Sequence, residues 1–308
     1  MSRSILRRSL LAFVFFAGLA VDVLAQQPAR LQGFPSADAA ATALTEAMRG
    51  DDDKAVSAIL GAGWRDFVPG SADDEDRLRT KYLAAWDANH KVVTSDGTKA
   101  TVEVGTTGWV LPIPIVKDGA EWRYDVEAGR KEIVARQIGR NELSVIQSLL
   151  AIVDAERDYA ALDPMKTGMP VYARRLLSSP GKRDGLYWEA APGEPESPLG
   201  PALATAQTRG EGGTDQGYYG YHFRLLYAQG QAAPGGAHDY LVNDRMLGGF
   251  AVIAWPVRYG ETGVMTFIVS RSGDVYEQDL GPDTATKAAA INIFNPDKGW
   301  DKADSTPP

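Results

Sequence analysis

The sequence predicts an α+β fold in two parts joined by one long helix. Three observations carry this. From Gly129 to Ala161, Ile133, Val134, Ile138, Val145, Ile146, Leu149, Leu150, Val153 and Tyr159 recur at the period of one helical face. Before that stretch, three helical patterns precede a run of short strands. After it, alternating apolar residues separated by Gly, Pro and Asp turns read as an antiparallel meander packed on the helix.

The elements follow in order. Ser36 caps a helix running to Arg49, with Ala40, Ala43, Leu44, Ala47 and Met48 on one side and Gly50 as its end. Asp53 caps a shorter helix holding Val56, Ile59 and Leu60, closed by Gly61. Asp73, Asp74, Glu75 and Asp76 precede a third helix with Leu78, Tyr82, Leu83 and Trp86. The acidic run lacks EF-hand spacing and matches carboxylates at a helix start, where the dipole stabilises them. Lys91–Ser95 and Thr98–Gly105 flank Asp96-Gly97, a two-residue hairpin signal. Trp109–Val116 forms an edge or bulged strand, since Pro112 and Pro114 cannot donate to a ladder. Glu121–Asp125 completes a four-stranded meander.

The central helix would span about 50 Å. Asp163-Pro164 stops it, and Gly139 is the expected kink. Pro170 starts a short helix through Leu177. Residues 179–217 are dense in Pro and Gly. Leu186-Tyr187-Trp188 is too apolar to lie in water, so this loop is expected to drape on a domain. Strands follow at Tyr219–Leu225, His238–Asn243, Gly249–Trp255, Val264–Val269 and Val275–Asp279. The chain thus divides into an N-terminal α+β part (34–128), the helix (129–163), a C-terminal sheet domain (164–301) and a disordered tail (302–308).

Residues 1–25 read as a signal peptide. Arg3, Arg7 and Arg8 precede an apolar run of 12 residues, Leu10–Val21, too short for a membrane anchor. Cleavage is expected after Ala25, with no stable membrane insertion afterwards. Removing this leader from 308 residues leaves 283. Its three arginines and Asp22 carry a net +2, so the overall charge of −8 becomes −10 in the mature chain. An acidic exported protein is a poor partner for nucleic acid. With no cysteine, the chain relies on apolar cores rather than disulfides, and thiol catalysis is excluded.

Several motifs recur together in one known family. They are Ile138–Leu143 (IGRNEL), Ser179–Trp188 (SPGKRDGLYW), Pro198-Leu199-Gly200-Pro201, Ala233-Pro234-Gly235-Gly236, Gly248-Gly249-Phe250 and Asp279-Leu280-Gly281-Pro282. In these the chain resembles the DUF2950 family, exported bacterial proteins of unknown function. The resemblance spans nearly the whole mature chain; it implies a shared fold and no particular activity. The front part is loosely similar in element order to NTF2-like cones, which often hold a pocket. The back half, a long helix with Asn141-Glu142 and then a meander, is similar to type IV pilin-like domains. Pilins, however, carry that helix at the mature N-terminus, whereas here a whole domain precedes it.

No nucleophile elbow, phosphate loop or HExxH motif is present. His222, His238 and Asp239 fall in one sheet region, with Asp215 near in sequence. Together they form a candidate metal or acid–base set. Their spacing is not that of metal ligands, and Arg224 beside His222 repels a cation, so no metal and no cofactor are expected. Tyr187, Trp188, Tyr218, Tyr219, Tyr221, Tyr227 and Trp255 are either a binding platform or core, and strand alternation favours core for Tyr219 and Tyr221. The candidate binding residues are Tyr187, Trp188, His222, Arg224 and His238. The expected function is non-enzymatic binding or assembly at the bacterial cell envelope, in the periplasm or outside the cell. The partner would be an envelope protein, a peptide or a glycan. The alternative is a small-molecule-binding or hydrolase-like enzyme using a pocket in the N-terminal cone.

Overall fold

The computed structural model describes residues 30–68, 71–206 and 216–304. The leader and Asp215 lie outside the described residues. The fold is α+β, with two separate apolar cores.

In the N-terminal part, Ser36 Oγ accepts from Ala39 N at 3.0 Å and starts α1 (Ala37–Arg49). Helix α2 (Asp53–Leu60) is capped by Asp52, one residue before the expected cap, through Ala55 N at 2.9 Å. Three aspartates offer equivalent caps, and the left-handed Asp51 (φ 54) sets which one meets the helix. Ser71 and Asp74 form a capping box at the start of α3 (Ala72–Ala88), so Asp73, Asp74 and Glu75 lie inside its first turn rather than before it. Hydrogen bonds from Ser71 hold the Asp74 carboxyl below its usual range.

Five strands follow: β1 (His90–Ser95), β2 (Lys99–Val104), β3 (Trp109–Val110), β4 (Ile115–Asp118) and β5 (Glu121–Tyr124). Their antiparallel order is β1-β2-β4-β5, with β3 also on β2. Two expectations are corrected. The first hairpin pairs Ser95 with Lys99, so its loop has three residues, with Thr98 N donating to the Asp96 carboxylate. The expected strand from Trp109 to Val116 is broken across Pro112 and Pro114, where no N–H exists to continue the ladder. Ala100, Val102, Val104, Ile115 and Tyr124 are buried in one core with Ala40, Ala41 and Leu44 of α1, which fill the inner face.

Helix α4 (Val126–Leu162) has 37 residues and runs unbroken through Gly139. Asp125 caps it at Ala128 N, and the helix begins at Val126, three residues before the expected Gly129. At Gly129 a Cβ would lie 2.9 Å from Ile113 Cγ1, so glycine permits the close approach there. The apolar stripe is buried only in the second half. Val145, Ile146, Leu149, Ile152 and Val153 are inside, Leu150 is half-buried, and Val134 is exposed. Asp163, left-handed at φ 44, closes the helix, and its carboxylate accepts from Thr167 N and Gly168 N.

The C-terminal part contains α5 (Pro201–Ala206), β6 (Tyr221–Leu226), β7 (Ala228–Gln229), β8 (His238–Asp239), β9 (Leu241–Val242), β10 (Arg245–Met246), β11 (Ala251–Pro256), β12 (Met265–Ser270), β13 (Val275–Asp279), α6 (Thr284–Ala290) and β14 (Asp301–Lys302). The main antiparallel sheet has the order β14-β13-β12-β11-β6; β7-β8 and β9-β10 are separate pairs. The single strand expected from His238 is broken around Tyr240. Asn243 and Asp244, both at positive φ, then make the two-residue turn between β9 and β10. The expected 170–177 helix is extended instead: Tyr172 N donates to Met246 O at 3.0 Å, and Ala173 N to Glu156 Oε2 at 2.8 Å. Tertiary partners for those N–H groups outweigh helical propensity. Order also continues past the expected boundary at 301. Lys302 pairs with Tyr276, and buried Ala303 donates to Val275 O; residues 305–308 lie outside the described residues.

Helix and sheet are joined by polar bonds at Asn141 and Glu142. Asn141 Nδ2 donates to Thr262 O at 2.8 Å. Glu142 Oε1 accepts from Val264 N at 2.8 Å, Met265 N at 2.9 Å and Tyr221 Oη at 3.3 Å. Lower on the helix, Glu156 is fully buried. Its Oε2 has the Ala173 bond and its Oε1 has no partner. Burial pushes this carboxyl well above its usual range.

A raised folded value means that the folded chain holds the proton more tightly. The resulting stability is fully present below the unfolded value of about 4.3 and is lost as pH rises toward the folded value. Glu156→Gln mimics the protonated acid. Thermal melts should therefore show this variant above the parent at pH 8, with the gap shrinking by pH 4. A gap independent of pH would mean that Glu156 does not titrate with folding.

Candidate functional site

The Pro/Gly-rich loop is ordered by its own sequence. Ser179-Pro180-Gly181-Lys182 places Pro and Gly at the two central turn positions. Lys182 N donates to Ser179 O at 2.9 Å, with Gly181 at φ 70, as a type II turn requires. Ala191-Pro192-Gly193-Glu194 repeats the arrangement, with Glu194 N to Ala191 O at 2.9 Å and Gly193 at φ 86. Between them, Tyr187 N donates to Leu176 O and Tyr187 O accepts from Ser178 N, both at 2.9 Å. Leu186 is fully buried and Trp188 is 6% exposed. The apolar triplet is thus draped on the domain, as its composition requires.

Side chains fix the first turn. Burial works to raise the Asp184 carboxyl, but bonds from Ser179 N (2.7 Å) and Ser179 Oγ (2.9 Å) outweigh it and hold the group below its usual range. Tyr159 Oη of α4 donates to Arg183 O at 2.6 Å. Trp188 Nε1 donates to Pro195 O at 3.2 Å. The Arg183 guanidinium lies 5.6 Å from the Trp188 ring centre and pairs with Glu194 Oε2 at 2.7 Å, linking the two turns.

These contacts enclose a half-open cleft of about 550 Å³, lined by Lys182, Arg183, Tyr187, Trp188, Glu189 and Glu194 among others. That volume is within the range of small-ligand sites. The Lys182 ammonium and the Glu189 carboxylate have no partner among the described residues. A second, shallower cleft of about 360 Å³ lies between α4 (Leu143, Ser144, Gln147) and Tyr218-Tyr219. The larger cleft lies in the C-terminal part, and the smaller one between that part and α4.

Of the residues singled out in the sequence, Tyr187 and Trp188 meet in the larger cleft. The other three do not line it. His222 and Arg224 share one face of β6, opposite buried Tyr221 and Phe223. His222 packs 5.3 Å from Trp255 between ring centres. Arg224 Nη2 donates to Ala288 O at 3.0 Å and Ile291 O at 2.7 Å, closing the C-terminal end of α6, where a cation is favoured. His238 is on the separate β7–β8 pair, exposed, near Tyr240. The two histidines therefore lie in different sheets, not one region as expected. Among the described residues, no group of three or more His, Asp or Glu is placed to hold a metal. Tyr221 is core, but Tyr219, expected inside with it, is 50% exposed. The strand begins only at Tyr221, and Tyr219 (φ 50) belongs to the preceding Gly217–Gly220 turn.

A family model described as "Protein of unknown function (DUF2950)" matches residues 31–303. The chain belongs to this family. No curated protein and no solved structure matches it. In this DUF2950 member the matched region includes both cores and the whole cleft. Sequence reasoning missed the charged lining, Lys182, Arg183, Glu189 and Glu194. The signal that marks it is the Pro-Gly pair at 180–181, repeated at 192–193.

Between the two Pro-Gly turns, Gly185 packs directly against backbone. A Cβ there would lie 2.6 Å from Ser178 N and 2.7 Å from Leu177 C. Gly185→Ala should cost about 1–3 kcal/mol through overpacking against backbone, read from denaturant unfolding. An unchanged midpoint would show that the loop yields freely.

Proposed function

We propose that this protein is exported and acts at the bacterial cell envelope as a binding protein, holding a short polar peptide or glycan segment in the Pro-Gly cleft without transforming it. The observation that carries this is the cleft itself. It combines an aromatic wall, a rim of two hydrogen-bonded Pro-Gly turns, and Lys182 and Glu189, whose charges have no partner among the described residues. Aromatic side chains supply contact area at low entropic cost, and unpaired charges at the rim orient a ligand.

Binding is favoured over catalysis by the state of the hydroxyls. Ser178 Oγ donates to Gly185 O, and Ser179 Oγ to Asp184. A carboxylate held below its usual range is a poor base, so neither serine is an activated nucleophile. Export is supported by the basic start and short apolar run of residues 1–25. No described helix is long and apolar enough to cross a membrane.

Two measurements test the reading. N-terminal sequencing of the exported protein should begin at Gln26; a chain still starting at Met1 would refute cleavage. Titration with a soluble digest of bacterial cell wall should shift tryptophan fluorescence in the parent and leave a Trp188→Phe variant silent. No change in the parent would remove the cleft as a binding site.

A further inference from the structure

We propose that Arg183 is the anchor for a ligand carboxylate, and that Glu194 holds its place when the cleft is empty, so that the cleft selects short peptides by their free C-terminus. This rests on the cleft being a binding site.

The Arg183 backbone is fixed by the Tyr159 bond to its carbonyl, and its guanidinium lies against the Trp188 ring. A guanidinium has five N–H donors in a planar fork that matches a carboxylate in bidentate fashion. Among the described residues only one bond from this fork is satisfied, Nη2 to Glu194 Oε2 at 2.7 Å. The partner is loosely held. The Glu194 side chain is 49% exposed and that of Arg183 30% exposed, and Glu194 Oε2 has one further contact, Ala191 N at 3.4 Å. A partly exposed, single-contact ion pair contributes little, so an incoming carboxylate that uses both arms of the fork displaces it. Lys182 adjoins Arg183 and adds a second cation, and Glu189 adds an anion, neither with a partner among the described residues. A short peptide carries a carboxylate and an ammonium together and answers both signs of charge. An acidic sugar answers only the cations.

The test uses the full mature chain, a mixed tetrapeptide library with free C-termini, the same library as C-terminal amides, and an oligouronate. Affinity is read by calorimetry and tryptophan fluorescence. The acid library should bind at least about tenfold more tightly than the amides, since a charge-assisted bidentate contact is lost in the amide. Glu194→Gln removes the competing anion and should tighten acid binding several-fold. Arg183→Lys keeps the charge but not the fork and should lose most of the preference for acid over amide, with thermal melts confirming that both variants fold. Equal binding of acids and amides, or weaker acid binding in Glu194→Gln, overturns the inference and leaves the binding reading standing. Preference for the oligouronate overturns the peptide assignment. No binding of any probe overturns the inference together with the reading it rests on.

Discussion

Everything in this molecule is referred to one rigid member, the 37-residue helix α4. A helix advances 1.5 Å per residue, so its attachment points stand at set distances. Gly129, against Ile113, holds the N-terminal part. About 20 Å further along, Asn141 and Glu142 take the loop and first residues of β12. About 26 Å beyond Glu142, Tyr159 takes the carbonyl of Arg183 and so positions the cleft. The bond that matters most is the Glu142 carboxylate. It satisfies two backbone N–H groups at the head of a buried strand, groups that would otherwise be left unpaired as the sheet closes on the helix. Tyr221 completes the junction. Its hydroxyl contacts Met265 O at 3.0 Å, and a Cβ on Gly263 would lie on top of it. Burial, with Glu142 nearby, holds that phenol protonated far above its ordinary range.

Two glutamates fourteen residues apart on one helix meet different surroundings. Glu142 is half-buried, and its Oε1 accepts from two backbone N–H groups and the Tyr221 hydroxyl. Glu156 is fully enclosed with one donor and one orphan oxygen, so burial favours the neutral acid. The surface cleft follows the same logic in reverse. Its charges remain near water, where an ion pair such as Arg183–Glu194 is inexpensive to exchange. A charged ligand site therefore belongs on the loop rim rather than in the sheet interior.

Much of the fold was legible. The Ser36 cap, the stop at Asp163-Pro164, the ordering of Leu186-Tyr187-Trp188 and the alternation of Tyr221 and Phe223 against His222 and Arg224 all follow from near neighbours in the chain. The site was half legible. Tyr187 and Trp188 stood out as apolar residues in a polar loop, whereas Lys182 and Glu189 look like any surface charge until the loop is folded.

What the sequence by itself determined was local: caps, the helical period, and turns whose Pro and Gly set φ before any tertiary contact forms. Only the tertiary structure decided the rest. Residues 170–177 became extended because Met246 and Glu156 supplied better partners than a helix. The two histidines were parted because the expected His238 strand pairs with β7 rather than joining the main sheet. The cleft arose because two Pro-Gly turns of one loop were tied to each other by Arg183 and Glu194 and to α4 by Tyr159. Contacts of this kind depend on which surfaces meet in three dimensions, and no spacing along the chain encodes them.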